Sequence, residues 1–201
     1  GHIHVERVTL GTAGESAAAL VGGWIRDAPQ FVVALDAPLG WPSALGPALA
    51  KHQAGKPIHD AADALFRRAT DSFVHARLKK MPLEVGADRI ARTARAALLL
   101  LEAIRKHAER PVPLGWRPGI DSGAIEVYPA ATLMTRGLPA KGYKSQTAPA
   151  RRLRDRILER MADELDLEVS LDLLRKNTDL LDAALCALAL VPVMPPVGLS
   201  P

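Results

Sequence analysis

Three carboxylates stand in this chain where charge is costly. Asp36 follows the apolar run FVVAL (31–35) and opens the turn DAPLGWP. Glu126 lies inside AIEVYP, on the strand face opposite Ile125 and Val127. Asp182 is the only charge in LLDAALCALALV (180–191), a helix apolar nearly all round and so expected to be buried. Asp179 stands three residues earlier, a spacing that puts both side chains on one helical face. A carboxylate in such a place is costly unless it is paired or binds metal.

Each acid also has an ordinary explanation. Asp36 can make an Asx turn that Pro38 stiffens. Glu126 can point into water from an edge strand. Asp179 suits the positive end of a helix dipole, an effect that fades before Asp182. Taken jointly, the acids point to a shared centre, where their mutual repulsion would demand a cation. Oxygen ligands suit Mg²⁺ or Mn²⁺ rather than zinc. Two such ions clamp the attacking and leaving oxygens of a phosphodiester. The expected metal ligands are therefore Asp36, Glu126, Asp182 and Asp179. The expected catalytic set is Asp36, Glu126 and Asp182, with Lys144 or Arg68 offsetting developing charge.

The elements that must position these groups read as an α/β pattern. HVERVTLG (4–11) reads as a strand, residues 14–29 as a helix, and FVVAL as a buried parallel strand. That order is a βαβ unit with a right-handed crossover, which pairs the first strand with the second. Residues 42–58 read as loop with a short helical turn. Residues 59–80 read as one basic helix and 87–109 as a second, broad-striped one. AIEVYPAATL (124–133) reads as a strand, 150–165 as an amphipathic helix with an arginine-heavy face, and 178–190 as a final helix capped by Asn177 or Thr178. The tail VPVMPPVGLSP reads as extended.

Composition excludes some classes. The chain has 201 residues, 48% of them hydrophobic, which is enough for a sizeable core and argues against disorder. Its formal charge is +4 and its pI near 9.5, which permits a polyanionic partner without requiring one. Cys186 is the single cysteine, so no internal disulfide forms and a cytoplasmic location fits. No stretch is long and apolar enough for a membrane span. Nothing in the sequence bears on oligomeric state. The histidines lack paired metal-ligand spacing, and neither a G-x-S-x-G elbow nor a P-loop occurs.

The blocks LDAPLGWP (35–42), RRATD (67–71), IEVYPAA (125–131), YK (143–144) and LLDAALCAL (180–188) resemble, in that order, an uncharacterised family of prokaryotic proteins described as predicted nucleases. The likeness spans roughly residues 31–190. It implies a ribonuclease H-like fold, a mixed sheet of about five strands flanked by helices, within a single domain over 1–201. A helical insertion would fill about 43–122. Asp36, Glu126 and Asp182 match the family's acidic positions, and Arg68, Asp71, Lys144 and Arg151 its polar accessory positions. The resemblance implies a divalent metal, Mg²⁺ or Mn²⁺, and a nucleic-acid substrate. Such folds open with an aspartate-bearing strand, whereas no aspartate precedes Asp27 here. That first strand is therefore expected to be missing from this sequence.

The leading expectation is a metal-dependent nuclease. A phosphotransferase or ATPase on the same scaffold is a rival, although the glycine-rich phosphate hairpins of such enzymes are not found. A non-catalytic binding module with structural acids is the other.

Overall fold

The computed structural model describes residues 3–86, 90–116, 119–167 and 171–191. The chain divides into two compact units, Glu15–Glu126 and Gly1–Gly14 with Val127–Pro201.

In the unit Glu15–Glu126, Ser16 caps the first helix, α1 (Ala17–Arg26), its hydroxyl accepting from the Ala19 N–H at 3.2 Å. A strand, here numbered β2 (Phe31–Leu35), follows. Four helices come next: α2 (Leu45–Ala50), α3 (Ala62–Phe66), α4 (Ala69–Leu78) and α5 (Ile90–Ala108). The unit ends in β3 (Ser122–Glu126). Strands β2 and β3 are parallel, from Phe31↔Ser122 to Leu35↔Glu126. On the other side of β3, the Ala124 N–H donates to the Pro113 carbonyl at 2.7 Å, and the Gly115 N–H to the Ala124 carbonyl at 2.8 Å. Ala124, fully buried, is thus paired on both sides, so Glu126 ends a strand that is not a bare edge.

The core of this unit gathers Ile25, Phe31, Val33, Leu101, Ile104 and Ala108. Helix α1 lies close against α5 at Gly22, where an added Cβ would stand 2.4 Å from His107 Cβ and 3.1 Å from the Ala108 backbone nitrogen. Neither contact can swing away, so the helices themselves must part. Gly22→Ala is expected to destabilise the protein by about 1–3 kcal/mol despite alanine's better helix propensity. A urea midpoint equal to or above that of the parent would contradict this.

Arg110 completes the end of α1. Its Nη1 donates to the carbonyls of Ile25 at 3.0 Å and Ala28 at 2.6 Å, and its guanidinium lies 4.7 Å from the Phe31 ring centroid.

In the other unit, β1 (Ile3–Val5) pairs in parallel with β4 (Leu165–Leu167). Its helices are α6 (Pro129–Thr135), α7 (Ala148–Ala162), α8 (Leu171–Lys176) and α9 (Thr178–Leu188). Leu133, Ile157, Leu158, Met161, Leu181 and Leu185 form its densest core. Asn177 caps α9 as expected, its side-chain oxygen accepting from the N–H groups of Asp179 and Leu180 at 2.9 and 3.1 Å. Arg136 satisfies the far end of α9 by donating to the carbonyls of Leu188 and Val191.

Several expectations change. The strand expected over 4–11 is short, and β1 pairs with β4 while β2 pairs with β3, so the expected pairing of the first two strands does not form. The helix expected over 59–80 breaks at Arg68, whose φ −92° and ψ 162° are extended. A buried ion-pair network there outweighs helical continuity. The strand expected to run to 133 stops at Glu126. Pro129 then starts α6 at its first turn, where a missing N–H costs nothing and the fixed φ is already helical. The single sheet of about five strands implied by the resemblance is not assembled among the described residues, where two parallel pairs form instead. Residues 87–89 of the expected second helix and the tail from 192 lie outside the described residues.

Candidate functional site

The apolar run of β2 buries Phe31 and Val33, and the chain leaves the strand at Leu35. Because Leu35 is opposite Glu126 in the parallel register, Asp36 and Glu126 both stand at carboxyl ends of neighbouring strands. In open α/β sheets that is where ligands bind. Asp36 is exposed, whereas the Glu126 side chain retains only 24% exposure. The turn after Asp36 is tied to β3, since the Leu39 N–H donates to Glu126 Oε2 at 3.1 Å. The DAPLG turn therefore meets Glu126, the first residue of the EVYP block, directly.

Arg68 binds that carboxylate with a two-pronged grip. Its Nη1 donates to Glu126 Oε2 at 2.6 Å and its Nη2 to Oε1 at 2.8 Å. On its other side Nη2 donates to Asp71 Oδ1 at 2.6 Å and Nε to Oδ2 at 3.1 Å. Asp71, 2% exposed in the first turn of α4, also accepts the Arg68 backbone N–H at 2.9 Å. The break between α3 and α4 exists so that one residue can make all of these bonds. Burial lowers the Arg68 pKa, while hydrogen bonds and attraction from Glu126 and Asp71 raise it. The net shift is upward, so the guanidinium stays charged.

In the other unit Asp182 is buried on α9, as its apolar surroundings imply. Its Oδ1 accepts from the Tyr143 hydroxyl at 2.7 Å, and its Oδ2 lies 2.5 Å from Lys144 Nζ. Lys144 is otherwise well exposed. Arg154, 2% exposed on α7, sets this arrangement. Its Nη1 donates to the carbonyls of Tyr143 at 2.5 Å and Ser145 at 2.8 Å, and its Nε to that of Arg175 at 2.8 Å. The two residues flanking Lys144 are thus fixed by one guanidinium. Asp179 lies exposed in the first turn of α9 and Arg151 exposed on α7.

Arg154 is the residue that sequence reasoning passed over, while Tyr143 stood in the YK block without a role assigned to it. A signal for Arg154 was present: Ala150, Arg154, Ile157, Leu158 and Met161 are the buried residues of α7, and the arginine falls in register with that apolar stripe.

In kind, the oxygens of these acids suit a magnesium-like ion. In arrangement they do not form a cage. Among the described residues no group of three or more His, Cys, Asp or Glu side chains is gathered as metal ligands. Both Glu126 oxygens are already held by Arg68.

Fold and site together define a mixed α/β protein whose helices flank small parallel sheets and whose strand ends carry paired acids. The chain belongs to the family described as "Protein of unknown function (DUF429)", whose model matches residues 6–193. No curated protein and no solved structure matches it. Among the described residues no helix is long and apolar enough to cross a membrane.

Proposed function

We propose that this chain is a ribonuclease H-like nuclease that hydrolyses phosphodiesters with Mg²⁺ or Mn²⁺. One observation supports the reading most: Asp36 directly follows β2 and Glu126 ends β3, so each acid stands at the carboxyl end of one of two paired parallel strands, where such folds do chemistry. The residues as arranged do not make a metal cage, so no step is assigned to the ion. In this reading Arg68 orients Glu126 and holds the DAPLG turn in register through it, while Asp36 is the exposed acid that meets substrate. Asp182 and Lys144 are the charged pair of the other unit that the reading includes.

The test is cleavage of labelled oligonucleotides with and without added Mg²⁺ or Mn²⁺. Asp36→Ala is expected to reduce metal-dependent turnover by about a hundredfold or more while leaving the fold intact by circular dichroism. Asp182→Asn is expected to reduce it as well. Unaltered turnover in Asp36→Ala would sink the assignment.

A second reading is favoured by the Arg68 network, in which two acids are already held by one cation. It takes the acids as structural and the chain as a non-catalytic binding module. It expects no thermal shift with either ion and no activity lost in Asp182→Asn.

A further inference from the structure

We propose that α2 and the chain that follows it form a docking cleft for single-stranded nucleic acid, gripping its phosphates through Lys51 and Lys56. An open cleft of about 570 Å³ lies there, and its lining includes Lys51, His52, Lys56 and His59 against one acid, Asp60. That volume falls in the range of sites that hold a nucleotide-sized group.

These four nitrogen-bearing side chains have no partner among the described residues. Several other basic side chains of the same unit are spent on the fold. Arg67 pairs with Asp63 and Glu84, Arg68 with Glu126 and Asp71, and Lys106 with Glu102. Arg105 and Arg110 are used on backbone carbonyls. Unspent like charge gathered in one concave place repels itself and attracts an anion.

The anion's other chemistry follows from the rest of the lining. Pro47, Pro57 and Ile58 give the cleft apolar walls beside its cations. Such a mixture suits a ligand carrying both phosphate and a flat apolar group, which is what a nucleotide is. Residues 43–80 carry seven Lys and Arg against three Asp, so the segment attracts a chain of phosphates rather than one. The same segment leaves Phe66 and Phe73 exposed, the latter at 65% with Arg77 5.9 Å from its ring centroid. Exposed aromatics among cations are the stacking surfaces that unpaired bases use.

The choice of a nucleic-acid strand over a free phosphate rests on the phosphodiester reading above, and the experiment separates the two. Fluorescence anisotropy of a labelled oligothymidine of about ten nucleotides is measured in EDTA, at roughly 50 to 200 mM salt. Lys51→Glu with Lys56→Glu is expected to weaken binding about tenfold at the lower salt. The slope of log affinity on log salt should shrink by about 1.4, the share of two single-strand phosphate contacts. Lys106→Glu with Lys141→Glu makes the same change in net charge and should leave affinity within about twofold. Should the cleft double variant melt early, Lys51→Ala and Lys56→Ala carry the same comparison singly.

Oligothymidine that fails to bind, binds the cleft variant as tightly as the parent, or is weakened equally by the control pair overturns the proposal. So does competition by inorganic phosphate or thymidine monophosphate as strong, per phosphate, as by the oligomer. An oligomer bound in EDTA but never cut with Mg²⁺ or Mn²⁺ keeps the cleft and removes the nuclease reading. Cleavage with binding indifferent to Lys51 and Lys56 does the reverse.

Discussion

Arg68→Ala is expected to lower the unfolding free energy by about 3–5 kcal/mol, the largest loss from any single truncation in the unit Glu15–Glu126. The substitution removes four side-chain hydrogen bonds at once. It leaves Asp71, 2% exposed, and Glu126 as like charges with no cation between them. Removing one member of a buried ion network costs far more than the network contributes, because the survivors keep their desolvation penalty. The damage also spreads, since Glu126 holds the Leu39 N–H and Asp71 the first turn of α4. Arg68→Lys keeps the charge but not the planar fork, and should fall between the parent and alanine. Adding Glu126→Gln and Asp71→Asn to Arg68→Ala should recover part of the loss, because neutral amides do not repel. Urea unfolding reads each value from the midpoint. A loss below about 1 kcal/mol in Arg68→Ala would show that the network is not what holds these segments together.

Arg154→Ala should cost a similar amount, about 3–5 kcal/mol, by a different route. No carboxylate pairs with Arg154 among the described residues. Its charge is solvated by three backbone carbonyls instead, those of Tyr143, Ser145 and Arg175. Truncation strands these acceptors and leaves a void beside Ile157 and Leu158. Arg154→Met refills most of the volume without the donors, so the difference between Met and Ala measures the cavity and the remainder measures the carbonyls. The loop carrying Tyr143 and Lys144 should then open to protease before the rest of the unit unfolds, because the two backbone carbonyls that flank Lys144 are both held by that one side chain, while the side-chain contacts of Tyr143 and Lys144 to Asp182 remain. If cleavage around 143–145 is no faster in Arg154→Ala than in the parent, the anchoring role is wrong.

Local signals were legible in the sequence where one stretch decides the outcome. FVVAL announced a parallel strand and Asn177 a helix cap, and both stand, although of the strand only Phe31 and Val33 are buried rather than the whole run. The apolar periodicity around Asp182 implied its burial, which its 6% exposure matches. Patterning misled where a distant residue intervenes. The helical pattern of 59–80 gives no sign that Arg68 must leave the helix to reach Glu126, 58 positions away. Nor does the arginine-rich surface pattern of α7 distinguish Arg154 from its exposed neighbours, except by its place in the apolar stripe.

By itself, then, the sequence determined strand β2 and the turn after it, the capped and buried α9, and the short list of acids worth asking about. Those depend on neighbours within a few residues, through propensity, capping and periodicity. Only tertiary structure decided which strands pair, where the basic helix breaks, and that Glu126 and Asp71 share one guanidinium while Asp182 meets Tyr143 and Lys144. A buried charge takes whichever opposite charge the fold brings within reach, and that distance is not written in the spacing along the chain.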